Sequence, residues 1–327
     1  MLSRPDGKTL AKLSRGARIA RTLGRAALST KHPLLVTLVV TRRCNLACGY
    51  CNEYDHVSRP VPVEALLARV DRLAELGTSI VTISGGEPLL HPDLERVISR
   101  IRRRGMIATL ITNGYPLTRS RIARLNEAGL DYLQISIDNV EPDDTSRKSL
   151  TRLDRKLEML AETATFTVNV NIVVGAGVEN PEEALVVAAR ARELGFAPSI
   201  GVIHDGHGQL RPLNDRQRAV YRAIRRRSGP GFGIVDRFES NLAKGKPTRW
   251  RCRAGSRYFY VDEQGTVHWC SQQRGTPAAP LERYSREDMR REYFREKSCA
   301  PMCTIQCVHR ASLMDEWRHP QSRTAAP

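Results

Sequence analysis

The 327-residue chain carries 52 Lys and Arg against 35 Asp and Glu, a formal charge of +17, with 41% hydrophobic and 27% charged residues. These proportions belong to an ordinary folded protein and exclude a fibre or a disordered chain. No run of about 18 apolar residues occurs, so no spanning helix is expected; eight cysteines without a secretory signal point to a reducing cytoplasm, where cysteine clusters bind metal more often than they form disulfides.

Residues 1–32 form a basic N-terminal extension, read as a helix packed on the barrel or a loose basic arm, with an amphipathic surface helix at 8–28 as the alternative. From residue 34 short apolar runs alternate with amphipathic stretches, the pattern of repeated β-α units. Strands are expected near 34–40, 79–84, 106–112, 131–137, 166–174 and 198–203. Helices fill the gaps at 62–76, 92–103, 118–128, 149–162 and 181–193, with Gly77, Gly105, Gly129 and Gly195 just past four of their ends. Six such units make three quarters of an eight-unit barrel, with the loops after the strands gathered on one face.

The rhythm breaks after about residue 205, where Gly206 and Gly208 precede an Arg-rich helix at 215–227. Residues 33–235 are therefore taken as the core barrel, 245–310 as a small cysteine-rich module and 311–327 as a polar, frayed tail. Arg-rich helices without interleaved aromatics read as solvated faces, so nucleic-acid binding is not the favoured use of the charge.

Chemistry concentrates at two places. Cys44, Cys48 and Cys51 follow the first strand with spacing C-x3-C-x2-C, where such barrels carry reactive groups. Three thiolates on a four-iron cluster would leave one iron open to a chelate; a zinc knuckle completed by His56 is the structural alternative. The second strand ends in Ser84, Gly85, Gly86, Glu87 and Pro88, in which two glycines admit a ligand close to the backbone and a fixed carboxylate can accept a charged amine. Asn113 ends the third strand, and Ser136 and Asp138 end the fourth; ordinary turn and capping chemistry is the alternative for each. Asn171 and Asn180 are weaker candidates of the same kind.

Cys44, Cys48 and Cys51, with Tyr50 before the last of them, and the GGEP run Gly85–Pro88 resemble the radical S-adenosylmethionine (SAM) superfamily over about residues 34–205. The resemblance implies an α/β fold, a partial (β/α)6 TIM-like barrel. It implies a [4Fe-4S] cluster on the three cysteines that reductively cleaves SAM to a 5'-deoxyadenosyl radical, which abstracts a substrate hydrogen. Gly85, Gly86 and Glu87 would contact the amino group of the cofactor, and Ser136 and Asp138 a ribose hydroxyl. A one-electron donor such as flavodoxin or ferredoxin is implied as partner.

Cys252 and Cys270 flank an expected β-hairpin whose turn is Asp262–Gly265. With twelve residues between Cys252 and Gly265 and four between Gly265 and Cys270, the segment is similar to the auxiliary-cluster domains of the SPASM and twitch type. The resemblance implies a small C-terminal iron-sulfur module with one auxiliary [4Fe-4S] cluster on Cys252, Cys270 and two of Cys299, Cys303 and Cys307; zinc on the same thiolates is the alternative. A ribosomally made peptide or protein is the expected substrate, ahead of a small molecule of cofactor, lipid or natural-product biosynthesis. Residues 1–32 look too short for a separate leader-binding domain. A non-catalytic iron-sulfur or zinc protein is the alternative of another class.

Overall fold

The computed structural model describes residues 7–175, 177–203, 212–226 and 240–318. Six strands, β1 Leu35–Thr41, β2 Ile80–Gly85, β3 Ile107–Thr112, β4 Tyr132–Ser136, β5 Thr167–Gly175 and β6 Ala197–Ile203, pair in parallel in chain order. Each lies within about two residues of its expected position, because the apolar runs that suggested them are buried between helices and lumen. The connecting helices are α2 Val63–Glu75, α3 Leu94–Arg103, α4 Arg119–Ala128, α5 Leu150–Thr163 and α6 Glu183–Glu193, followed by α7 Asp215–Arg226. In α3 the buried positions Leu94, Val97, Ile98 and Ile101 make one stripe against the sheet, leaving its arginines outside.

Alternation along each strand separates two surfaces. On β4, Leu133 and Ile135 join the main core, while Tyr132, Gln134 and Ser136 line cavities in the lumen. This places chemistry inside the barrel and packing outside it.

The C-terminal cysteine-rich segment is continuous with the barrel's sheet. The predicted hairpin is present as β7 Tyr258–Val261 and β8 Thr266–His268, but β7 pairs in parallel with β1, from Leu35↔Tyr258 to Leu38↔Val261. A third strand, β9 Pro277–Pro280, extends the same sheet to nine strands. The physical reason is the free edge of β1, whose unpaired backbone groups the apolar run at 258–261 satisfies. The edge strand β9 carried no sequence signal, since its two prolines disfavour a central strand and are tolerated only at an edge.

Helices α8 Arg286–Phe294 and α9 Gln306–Leu313 follow. The expected frayed tail begins too early: Ala311, Ser312 and Asp315 are buried, and Asp315 forms a 2.9 Å ion pair with Arg257, both fully enclosed. A lone acidic residue in a polar stretch gives no hint of such a partner. Gly206 and Gly208, residues 227–239 and residues 319–327 lie outside the described residues.

At the other end, α1 Gly7–Leu28 crosses the N-terminal ends of the strands. Arg18 pairs with Asp131, itself held by Arg102 at 3.2 Å, and Arg25 donates to the Gly77 carbonyl at 3.1 Å. Of the readings of the N-terminal extension, the packed helix is the one observed.

Candidate active site

Loop 42–55 leaves β1 and folds back on itself: Asp55 N donates to Arg42 O and Cys44 N to Asp55 O, each at 2.9 Å. Cys44, Cys48 and Cys51 are thereby brought near enough for each thiol to feel the charge of its neighbours. Burial, then the charge of Glu87 and those of the neighbouring thiols, pushes the Cys44 thiol up to about 11, and burial also raises Cys51. A metal centre reverses that balance, since coordination deprotonates a thiol.

The glycines after β2 explain why the loop sits where it does. Gly86 N donates to Thr41 O at 2.8 Å and Glu87 N to Arg43 O at 2.9 Å. A Cβ on Gly86 would stand 2.2 Å from Arg42 O and 2.5 Å from Arg43 O, and one on Gly85 2.1 Å from Thr41 O. The two glycines let the cysteine loop lie directly on the end of β2.

Thiols and glycines open onto one cavity of about 370 Å³. Its wall includes Tyr50, Asn113 and Ser136 from the sequence candidates, and Asn171 in addition. Asn113 donates from Nδ2 to Asn45 at 2.9 Å and lies 3.7 Å from Cys44 Sγ. Asn180 is exposed, away from this wall.

Two candidates behave differently from expectation. Glu87 does not line the cavity but is fully buried. Its carboxylate accepts from Leu89 N at 2.9 Å, Thr112 Oγ1 at 2.7 Å and Asn113 N at 2.7 Å, so it braces the end of β2 against the end of β3. Burial outweighs these donors and moves its carboxyl up to about 7. Pro88, also buried, starts the 3-10 turn Pro88–Leu90 behind it. Asp138 likewise lies behind the wall: its Oδ2 accepts from Tyr50 at 2.8 Å and Ser146 at 2.7 Å and pairs with Lys148 at 2.9 Å. The Glu87 carboxylate is thus taken up on both oxygens by donors that the fold brings together, whereas Asp138 is held through Oδ2 and its buried Oδ1 has no hydrogen-bond partner among the described residues.

Sequence reasoning missed Lys148. It lines the cavity with Glu53, and these two are the charged residues of its wall. The ammonium donates to Tyr50 Oη and lies 4.8 Å over the Tyr50 ring. Burial opposes its charge, but Asp138 and Tyr50 hold its pKa well above the ordinary lysine value. A lone lysine in a loop carried no signal.

The second cysteine set divides. Cys252, Cys270, Cys299 and Cys303 interact electrostatically with one another; burial first, then these neighbours, drive Cys252 to about 11 and Cys270 to about 12. Cys307 packs against the same buried cluster, but its charged neighbour is Arg310 and it lines a different cavity. Ile305 N donates to Cys303 Sγ as Leu46 N does to Cys44 Sγ, each at 3.4 Å.

Among the described residues no three His, Cys, Asp or Glu side chains converge on a single metal ion. His56, the fourth ligand of the zinc alternative, is turned to the backbone, with Nδ1 3.0 Å from Cys44 O. A four-iron cluster presents a separate iron to each thiolate and needs no common point of convergence. Three neighbouring thiols facing a cavity, with backbone closely packed at two glycines, fit such a cluster with one open iron.

The fold and site define an α/β partial-barrel enzyme with a cysteine-rich loop after its first strand. Residues 38–211, more than half of the chain, match the radical SAM superfamily, and the chain belongs to that family. It is 28% identical over 253 residues to the PqqA peptide cyclase of Gluconobacter oxydans (strain 621H), covering 73% of this chain and 70% of that protein. A PqqA peptide cyclase of Xanthomonas axonopodis pv. citri (strain 306) is 34% identical over 140 residues, 39% of this chain and only 36% of the relative. The fold is similar to Streptococcus suis SuiB bound to precursor peptide SuiA, with TM-score 0.57, 14% identity and 90% and 69% of the two chains covered. It is also similar to anSMEcpe with bound AdoMet and Cp18Cys peptide, with TM-score 0.56, 15% identity and 88% and 97% covered. No helix among the described residues is long and apolar enough to cross a membrane.

Proposed function

We propose that this radical SAM enzyme modifies a ribosomally made peptide or protein, with a [4Fe-4S] cluster on Cys44, Cys48 and Cys51. The observation that carries the cofactor assignment is the meeting of three mutually interacting thiols with Gly85 and Gly86 on one cavity. When bound, cluster and SAM together supply a 5'-deoxyadenosyl radical able to abstract an unactivated hydrogen. The peptide assignment is supported by the peptide named in the PqqA cyclases and in the SuiB and anSMEcpe complexes.

The protein's own contribution is placement and protection. Gly85 and Gly86 would present backbone to the bound cofactor, while Glu87, behind them, holds β2 and β3 at fixed separation. Asn113 and Ser136 offer hydrogen bonds along the wall, and Asp138 acts one step back, through Tyr50 and Lys148. The Lys148 ammonium is the cation available to a carboxylate in the cavity.

Cys252, Cys270, Cys299 and Cys303 are the proposed ligands of one auxiliary [4Fe-4S] cluster. Cys307 is left out because it lines the lower cavity and none of the other four cysteines is among the charges acting on it. A one-electron donor such as flavodoxin or ferredoxin in a reducing cytoplasm completes the reading. Anaerobically reconstituted protein given dithionite and SAM is expected to release 5'-deoxyadenosine, and the triple variant Cys44→Ala, Cys48→Ala, Cys51→Ala to release none. Retained cleavage in that variant would overturn the assignment.

A further inference from the structure

Beneath the candidate cofactor cavity the barrel encloses a second chamber of about 420 Å³, within the roughly 300–1,000 Å³ usual for small-ligand sites. Ile111 lines both spaces, so an occupant of the lower one lies next to the cofactor. Its walls are largely aliphatic: Leu35, Ile80 and Ile107 from the strands, with Ile19 and Leu23 of α1 closing it from below.

A belt of polar side chains crosses this apolar lumen, and most of it is internally paired. Thr37 meets Tyr258 at 3.1 Å, Thr109 donates to Thr82 at 2.7 Å, and Ser199 donates to Asn169 at 2.8 Å. Gln134 breaks the pattern. It occupies the middle of β4, paired in register with Ile111 on β3 and Asn169 on β5, lines the chamber, and its carboxamide has no hydrogen-bond partner among the described residues. An amide left unpaired beside apolar walls is unfavourable unless a ligand or water completes it.

We propose that Gln134 is the specificity-determining residue of a substrate chamber, in which an aliphatic side chain of a peptide fills the apolar space while the adjoining backbone amide bonds to the Gln134 carboxamide. A carboxamide offers one acceptor and a donor group, matching the N–H and C=O of a peptide unit. This rests on the peptide reading above and narrows it to an aliphatic residue.

The test uses reconstituted holoprotein and the probe N-acetyl-leucine N-methylamide, titrated by calorimetry. The probe is expected to bind saturably, its glycine counterpart at least about tenfold more weakly, and Gln134→Leu to weaken the leucine probe by about tenfold or more, as loss of a hydrogen-bonding partner beside apolar walls requires. The wild type also provides a comparison independent of any variant: N-acetyl-leucine methyl ester, which replaces the C-terminal N-methylamide N–H with an ester oxygen, should bind more weakly than the amide. Absence of saturable binding, equal binding of leucine and glycine probes, or equal affinity for ester and amide together with unchanged binding by Gln134→Leu would overturn the proposal. Release of 5'-deoxyadenosine by wild type without probe is scored separately, so that failure of the cofactor reading and failure of the chamber reading are distinguishable.

Discussion

At the scale of single residues the site depends on contacts closer than a side chain permits. Gly86→Ala would drive a methyl group into the carbonyls of Arg42 and Arg43, at 2.2 and 2.5 Å. Both are backbone atoms, and neither can move without shifting the cysteine loop. The variant is expected to fold but to lose about four iron per chain on reconstitution, the content of one cluster, as measured by iron and sulfide analysis. Lys148 acts by charge instead. Removing a cation close to two candidate cluster thiolates, Cys48 and Cys51, disfavours an added electron. Lys148→Met should therefore lower the midpoint potential, by on the order of 50 mV for a partly screened neighbouring charge. Redox titration followed by electron paramagnetic resonance reads this shift, and an unchanged potential would confine Lys148 to a structural role.

At the scale of elements the decisive junction is that of β7, β1 and the segment after α9. Arg257 precedes β7; its carbonyl accepts from Leu34 N at 2.8 Å and Leu35 N at 3.1 Å, and its guanidinium bonds His32 O at 2.6 Å and Asp315 at 2.9 Å. One residue thus ties the start of β1, the end of the α1 connection and the C-terminal turn. Asp315→Ala would leave a guanidinium buried without its charge partner, and a loss of about 3–5 kcal/mol is expected in chemical denaturation. The apolar pair Arg257→Met with Asp315→Leu should recover part of it. His32, on the same junction, is buried with Nε2 unpartnered. Burial first, then the charges of Arg257, Arg25 and Arg286, lower its pKa to about 4 from 6.5. The folded state therefore binds fewer protons than the unfolded state between those values. The stability from keeping His32 neutral is fully present above pH 6.5 and is lost as pH falls toward 4. Denaturation midpoints at pH 7.5 and 5.5 should differ in that direction, and His32→Asn should flatten the difference.

At the scale of the whole molecule the nine-stranded sheet makes one body of what the sequence divides into barrel and module. The two cysteine sites are joined through it, since β7 follows Cys252 and pairs with the strand that leads to Cys44. The wild type is expected to hold about eight iron, two clusters of four. Cys252→Ala should fall to about four while keeping 5'-deoxyadenosine formation measurable, and Cys307→Ala should keep all eight. Loss of iron on changing Cys307 would place it among the ligands and contradict the grouping seen here.

The strands, the helices and the thiol loop were legible because each is written in local order: alternating apolar runs, glycines at helix ends, three cysteines within eight residues. The same is true of Gly85 and Gly86, whose requirement for close backbone approach excludes any larger residue. What sequence could not decide is which polar side chains face the cavity. Glu87 and Asp138 read as ligand groups, yet both stand behind the wall, Glu87 held by Leu89, Thr112 and Asn113 and Asp138 by Tyr50, Ser146 and Lys148, while Lys148 and Gln134 carry no motif and stand on the walls. Local chain chemistry specifies elements and ligand spacing. The direction and pairing of a side chain depend on residues far apart in sequence, and are fixed only when the sheet closes around them.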